Sequence, residues 1–207
     1  MRKSLIIGVA GGSGSGKSTI SKRLKELNGN NRVEIIDQSA YALVDSSLDL
    51  LDRRKVNLGH PSNVDFDLLK DNINDLILGK STNSPIFDYH TYERTDEIIK
   101  HEPKDIVIVE GSLVLYDSAL RDLFDIKVYV DTDADIRLIR KILKDTKEKS
   151  LDIDNIILDY ISRDKNVYMN FVEPTKRFAD IIIPEGGENE IAIDILNSKI
   201  KGTFDRL

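Results

Sequence analysis

The sequence contains no cysteine and no apolar run near the 18 residues that a membrane-spanning helix needs. Without cysteine, neither disulfide bonds nor thiolate metal sites can form, which suits a reducing cytoplasm, where we expect the protein. Thirty basic residues against 36 acidic ones give a net charge of −6, which argues against an extended nucleic-acid footprint. We therefore expect a protein that binds small molecules and has neither a membrane nor a nucleic acid as its partner.

Short β-rich runs alternate with helical patterns along the chain, which is typical of a parallel sheet covered by helices on both faces. Each run is almost entirely apolar, as expected for strands that are buried on both sides. The sequence therefore predicts an α/β fold in three layers, α/β/α, with five parallel strands in a single domain over residues 1–207. The predicted strands are Leu5–Ala10, Arg32–Ile36, Ile106–Glu110, Ile126–Val130 and Asp180–Pro184.

Helices are predicted between these strands from apolar residues at three- and four-residue spacing and from the glycines that end them. They comprise Lys17–Leu27, a stretch that begins after Ser62 and stops at Gly79, Asp133–Lys147, Ile153–Phe171 and Glu188–Ile200.

Residues 85–99 interrupt the alternation with aromatic residues and β formers around a polar centre. This composition predicts a β-hairpin inserted at about residues 83–101. A hairpin beside the sheet can form one wall of a substrate pocket. The alternative is that its aromatic residues only cover an apolar edge of the sheet, and composition alone does not separate the two.

The sequence G-G-S-G-S-G-K-S, from Gly11 to Ser18, follows the first predicted strand and fits the phosphate-binding pattern G-x-x-x-x-G-K-[ST]. Glycines let the main chain curl until several N–H groups face one anion, and the next helix adds the positive end of its dipole. Lys17 is expected to reach the β and γ phosphates, and Ser18 to hold Mg²⁺. The alternative, a plain glycine turn, is disfavoured by the strand–loop–helix order. The predicted nucleotide-binding residues of this loop are Gly11, Gly12, Ser13, Gly14, Ser15, Gly16, Lys17, Ser18 and Thr19.

Two acidic residues stand at the carboxyl ends of predicted strands. Asp37 follows the second strand and Glu110 ends the third, so both should emerge at the edge of the sheet where doubly wound folds bind ligands. One could accept the proton of an acceptor hydroxyl while the other orients Mg²⁺. We predict Asp37 as the base and Glu110 as the metal residue; the alternative is that each only caps a turn.

Basic residues recur at three- and four-residue spacing in the helix after the fourth strand. Closing over a γ phosphate, this face could neutralise charge and exclude water as a lid at about residues 137–152. The alternative is an ordinary solvated face. The residues concerned are Arg137, Arg140, Lys141 and Lys144, and Lys147 and Lys149 continue the run.

Segments spread over nearly the whole chain resemble the uridine kinase family, within the group that includes phosphoribulokinase and pantothenate kinase. The most specific are L-F-D-I-K-V-Y-V-D-T-D-A-D-I-R-L-I-R at 123–140 and E-P-T-K-R-F-A-D-I-I-I-P-E-G-G-E-N at 173–189. Shorter matches are G-V-A-G-G-S-G-S-G-K-S-T at 8–19, H-P at 60–61, P-I-F-D-Y at 85–89 and V-I-V-E-G at 107–111.

The resemblance implies a P-loop kinase fold with a β-hairpin near the nucleoside. It implies transfer of the γ phosphate of ATP or GTP to the 5′-hydroxyl of uridine or cytidine, with Mg²⁺, by a homotetramer. By the same resemblance, Arg140 and Lys144 bind the nucleotide. The acceptor is contacted by Phe87, Asp88, Tyr89, Tyr92, Arg94 and Lys141.

The chain departs from the family pattern mainly on the acceptor side. Gln38 occupies the position of the catalytic aspartate, with Asp37 one residue earlier, and Gly59 replaces an aspartate that holds the ribose hydroxyls. Lysine retains the charge of the lid arginines but loses their bidentate geometry. The other replacements are Phe87 and Tyr92 in the hairpin, Lys141, Lys144, Lys149 and Leu151 in the lid, and Glu185 near the end.

Three functions remain open from the sequence. The first is a kinase that phosphorylates uridine, cytidine or a related small alcohol, with Asp37 as base and Lys17 as phosphate clamp. The second is a nucleotide-binding regulatory protein with weakened chemistry. The third is a kinase of the same fold that acts on a different small-molecule acceptor.

Overall fold

The computed structural model describes residues 4–149 and 152–204. It confirms the predicted parallel sheet, whose five strands stand in the order β2-β5-β1-β6-β7. A separate antiparallel hairpin is formed by β3 and β4. The strands are β1 (Leu5–Gly11), β2 (Val33–Asp37), β3 (Thr82–Asp88), β4 (Glu93–His101), β5 (Ile106–Glu110), β6 (Ile126–Asp131) and β7 (Ile181–Pro184).

Helices cover both faces of the sheet, and none in the described stretches is long and apolar enough to cross a bilayer. The helix predicted at 153–171 is helical throughout but passes through two π-helical segments, Tyr160–Asp164 and Tyr168–Val172. Leu151 and the end of the predicted lid lie outside the described residues. The α-helices are α1 (Lys17–Asn28), α2 (Leu50–Arg53), α3 (Phe66–Ile77), α4 (Ser118–Arg121), α5 (Ala134–Lys149), α6 (Ile153–Asp159), α7 (Lys165–Val167) and α8 (Glu190–Phe204).

Alternate side chains of β1 divide the core into two layers. Ile7 and Val9 pack with α1 and α8, whereas Ile6 packs with α3 on the other face. This alternation is the period-two geometry of a strand, and it explains why β1 is apolar at nearly every position. The central strand therefore holds the loop that follows it at a fixed point between the two layers.

The hairpin is fastened to the sheet through a buried histidine. His101, at the end of β4, lies between Glu34 of β2 (Nδ1 to Oε1, 2.6 Å) and Ser84 of β3 (Nε2 to Oγ, 2.9 Å). A second attachment is Arg94, which donates to the main-chain oxygens of residues 41 and 42 and forms an ion pair with Asp65. These contacts hold the hairpin beside the carboxyl edge of the sheet.

Candidate functional site

The loop between β1 and α1 is curled by glycines in conformations that other residues rarely adopt. Gly11, Gly14 and Gly16 have φ angles of 144°, 78° and 98°. The amino group of Lys17 folds back over the loop and donates to the carbonyl oxygens of Gly11 and Gly12, both at 2.9 Å. The loop therefore has the curled main chain and the adjacent cation that an anion site requires.

Two other segments press on this loop from behind. The hydroxyl of Thr132, after β6, donates to the carbonyl oxygen of Ser15 at 3.0 Å. Gly186, with φ of 75°, lies so close to Ser15 that a Cβ there would collide with the Ser15 carbonyl, and Gly187 similarly abuts Thr19. The glycine pair after β7 is thus a structural support of the phosphate-binding loop.

A cleft of about 730 Å³ opens in front of the loop, between the hairpin, α5 and the helical stretch 153–172. Most of the sequence-predicted residues lie along it, but Gly11, Ser15, Glu110, Phe87, Asp88 and Arg94 are not among its lining residues. Phe87 and Asp88 line a smaller adjoining depression that shares Asp37, Tyr89 and Lys144 with the cleft. The predicted residues that line the cleft are Gly12, Ser13, Gly14, Gly16, Lys17, Ser18, Thr19, Asp37, Tyr89, Tyr92, Arg140, Lys141 and Lys144.

Asp37 and Gln38 both line the cleft but differ in how they are held. Asp37 is exposed, and its Oδ1 accepts a hydrogen bond from Ser39 N at 2.8 Å. Gln38 is only 6% exposed, and its side chain packs against Gly111 and accepts from Leu113 N. Asp37 is therefore the carboxylate that solvent and ligands can reach, and Gln38 is a fixed part of the wall.

Glu110 ends β5 directly beside the end of β2, in register with Asp37. It is 6% exposed, and its Oε2 is buried with no hydrogen-bond partner, as is the hydroxyl oxygen of Ser15. Buried polar atoms normally have partners, so these two atoms suit a ligand that donates protons or bears positive charge. Glu110 is also close enough to Lys17 to raise its pKa, which places this carboxylate near the loop.

Among the described residues, no group of three or more acidic, histidine or cysteine side chains is arranged to hold a metal. In nucleotide sites, Mg²⁺ is commonly held by only one or two protein oxygens together with phosphate oxygens and water. Ser18, exposed in the first turn of α1, and Glu110 are the residues that fit that role.

Burial lowers the pKa of Lys17 to about 8, although the negative charges of Glu110 and Asp37 raise it in part. The positive charges of Arg137 and Lys144 lower it further. An ammonium group held among cations in a dry site gains more from a bound anion than one in water. The positive charges around the loop therefore favour the binding of a polyphosphate.

Basic side chains of α5 line the cleft, and two of them also form ion pairs. Lys141 pairs with Asp145 at 2.6 Å and with Asp164 at 3.5 Å; burial opposes its charge, but the two carboxylates outweigh burial and raise its pKa. Arg140 pairs with Glu188 at 3.2 Å. Two cations of this face are thus paired with carboxylates, one on α5 itself and the others on segments packed against it.

The hairpin aromatics form a cluster at the far end of the cleft. The ring of Phe87, 8% exposed, makes edge contacts with Tyr89 at 5.2 Å and with Tyr92 at 5.8 Å between centroids. Tyr92 turns the chain with a φ of 58°. Tyr89 and Tyr92 line the cleft, whereas the buried Phe87 packs against these two tyrosines within the hairpin.

Sequence reasoning did not assign several residues of the cleft. Arg163 lines the cleft, donates to the carbonyl oxygens of residues 54 and 55 and pairs with Asp159. Tyr168 stacks on Arg137. Their helix has a periodic pattern that predicts helicity, but the pattern does not show which face meets the loop.

Comparisons with known proteins agree with this geometry. The family model described as "Phosphoribulokinase / Uridine kinase family" matches residues 6–192. A protein named uridine kinase from Limosilactobacillus reuteri (strain DSM 20016) is 46% identical over 200 residues, covering 97% of this chain and 92% of that protein. One of the same name from Lactiplantibacillus plantarum (strain ATCC BAA-793 / NCIMB 8826 / WCFS1) is also 46% identical, covering 97% of this chain and 96% of that protein.

A solved structure shows the same fold at low sequence identity. Phosphoribulokinase from Rhodobacter spheroides matches with a TM-score of 0.64 and 16% identity, covering 89% of this chain and 71% of that one. At this identity the likeness extends to the fold alone.

Proposed function

Because the chain belongs to the phosphoribulokinase/uridine kinase family, we propose that it transfers the γ phosphate of ATP or GTP to the 5′-hydroxyl of uridine or cytidine. The observation that supports this most directly is the common cleft. One end is the phosphate-binding loop with Lys17, the other is the aromatic hairpin with Tyr89 and Tyr92, and Asp37 lies between them. Phosphoryl transfer needs this order of donor, base and acceptor.

In the proposed reaction, the loop amides and Lys17 bind the β and γ phosphates. Ser18 and Glu110 would hold Mg²⁺ directly or through water, and the metal would supply charge neutralisation at the phosphates. Asp37 accepts the proton of the acceptor hydroxyl, a role that its exposed carboxylate allows. The basic face of α5 neutralises charge on the transferred group and, with Arg163, limits access of water.

The test is ADP release by the purified protein with Mg²⁺, ATP or GTP, and uridine or cytidine. We expect turnover with a pyrimidine nucleoside and little without it. ADP release that no nucleoside stimulates, from folded protein that binds the nucleotide, would contradict the proposed activity.

A different small-molecule acceptor is the second candidate, and the surroundings of Gly59 favour it. A Cβ at Gly59 would lie 3.3 Å from the Val167 side chain and 3.4 Å from the Asn57 side-chain oxygen. A carboxylate at this position would accept hydrogen bonds from ribose hydroxyls. In this chain the surroundings are instead the apolar side chain of Val167 and the neutral amide of Asn57. A panel of alcohols, tested for stabilisation against heat together with a nonhydrolysable ATP analogue, separates the two candidates, because only the true acceptor stabilises the complex.

A further inference from the structure

We propose that Tyr168 is a positioning residue that holds the guanidinium group of Arg137 against the phosphate-binding loop, where Arg137 contacts the γ phosphate. The proposal rests on the proposed phosphoryl transfer, but it concerns the nucleotide end of the cleft and does not depend on which acceptor is used.

The first support is a close stack of the two side chains at the loop. Cζ of Arg137 lies 3.9 Å from the centroid of the Tyr168 ring. A Cβ added to Gly12 would lie 2.6 Å from Nη1 of Arg137 and 3.0 Å from Cε2 of Tyr168. The guanidinium group is therefore enclosed between an aromatic face and the main chain of the loop, and only a glycine at position 12 leaves room for both.

The second support is that the ring is itself fixed. The Tyr168 hydroxyl donates to Glu173, which also accepts from the hydroxyl of Tyr129 on β6 at 3.1 Å. Tyr129 is fully buried. The π-helical turn at Tyr168–Val172 includes Tyr168, and π-helical turns are frequent at functional sites. Tyr168 is thus a rigid support that connects the sheet to the cleft.

The third support is the direction of Arg137. Its Nε donates to the carbonyl oxygen of Thr132 at 3.0 Å, and the Thr132 hydroxyl holds the carbonyl oxygen of Ser15. Arg137 is only 4% exposed, yet it lines the cleft. A carbonyl oxygen and an aromatic face stabilise a cation without neutralising it. The positive charge is therefore retained next to Lys17, in a position suited to an anion.

The decisive variant is Tyr168→Met, which retains much of the volume and removes the aromatic face. We expect kcat/KM for the nucleotide to fall about tenfold, because a desolvated cation–π contact amounts to about one factor of ten in an equilibrium. The KM for the acceptor should change less than about twofold, since Arg137 packs against Gly12 and Gly14 of the phosphate-binding loop. Tyr168→Phe, which keeps the ring, should recover most of the rate.

Two readouts separate positioning from general damage. In an Arg137→Gln background, Tyr168→Met should have almost no further effect on kcat/KM for the nucleotide, because a residue that acts through Arg137 has nothing left to position. In the otherwise unchanged chain, Tyr168→Met should weaken binding of a nonhydrolysable ATP analogue about tenfold and of ADP much less. A structural role would weaken both nucleotides alike.

The outcomes are distinguishable from failure of the proposed function. If no acceptor is phosphorylated, the ratio of the two nucleotide affinities still tests Tyr168, because it needs no acceptor. Should Tyr168→Met fail to fold, Glu173→Gln, which loosens the ring from its hydroxyl anchor, gives the same measurement. Additive losses in the double variant, or an unchanged affinity ratio in folded protein, would overturn the proposal.

Discussion

Oε1 of Gln38 accepts a hydrogen bond from the main-chain N–H of Leu113 at 2.8 Å. This bond connects the end of β2 to the loop after β5. It fixes the Gln38 side chain in the wall of the cleft. A neutral amide cannot act as a base, and this one is engaged in holding the wall. The exposed carboxylate of Asp37, one residue earlier, is the group left to receive a proton on this strand.

Asp37→Asn should lower kcat by about 10² to 10⁴, which is the usual contribution of general base catalysis. The fold should survive, because asparagine can accept the same hydrogen bond from Ser39 N. Asp45→Asn is the matched control: Asp45 accepts from Ser47 N at 2.9 Å in the same kind of turn but is not among the cleft residues. Steady-state kinetics check this, and equal rates for Asp37→Asn and the parent protein would exclude Asp37 as base.

Gly186→Ala should abolish nucleotide binding by displacing the phosphate-binding loop. Its Cβ would collide with the main-chain oxygen of Ser15, which is not a flexible group. The control is Gly29→Ala, which also has a positive φ but has no atom within 4 Å of the added Cβ. Backbone strain alone costs about 1 to 2 kcal/mol in either variant.

Calorimetric titration with magnesium nucleotide measures the difference between the two glycine variants. Tight binding by Gly186→Ala, or equal losses in both variants, would show that the glycine pair does not support the loop.

Nucleotide affinity should fall as the pH rises above about 8. The pKa of Lys17 is lowered to about 8 in the free protein, and a bound phosphate favours the ammonium form, so binding must take up a proton at higher pH. Above that pH the affinity should fall by at most about tenfold per pH unit. Titrations in buffers of different ionisation enthalpy detect the proton uptake directly.

Lys17→Arg supplies the control for this pH dependence, because a guanidinium group does not titrate in this range. The pH dependence of folding stability has the opposite sign to that of nucleotide affinity. The unfolded chain holds more protons than the folded one between pH 8 and 10.5, so the contribution of Lys17 to the free energy of unfolding rises with pH across that window. An affinity that is flat from pH 7 to 10 would contradict the lowered pKa.

Glu34→Gln should loosen the hairpin. The substitution removes the charge from the 2.6 Å contact with His101, and losing a charged hydrogen bond at a buried group costs about 1.5 to 3 kcal/mol. Urea unfolding should show this loss, and amide exchange should become faster in β3 and β4 than in β1. Glu102→Gln, which removes an exposed partner of Lys100, should change stability by less than about 1 kcal/mol.

The parts of the structure that follow from local patterns were predictable from the sequence. The strand–loop–helix around Lys17 depends on glycines and one strand, and Asp37 and Glu110 stand where parallel strands end. The five strands of the parallel sheet and the hairpin were confirmed for the same reason: apolar period and turn residues are encoded within each segment.

The contacts between distant segments could not be read from the sequence. Arg94, which the resemblance assigns to the acceptor, has its guanidinium group bound to Asp65 and to the carbonyl oxygens of residues 41 and 42, shortly after β2. The stack of Arg137 on Tyr168 joins residues 31 positions apart across a helix that twice becomes π-helical. The spacing of residues along a helix predicts which side chains share a face. It does not predict which other segment that face contacts.

The hairpin shares no strand pairing with the main sheet, which β1 occupies at its centre. Apart from Ser84 and His101, which connect to Glu34 of β2, side chains of β3 and β4 can therefore be changed without altering the strand registers of the main sheet. Tyr89 and Tyr92 are therefore carried on a unit whose strand pairing is separate from that of β1, the strand that leads into the glycine loop with Lys17.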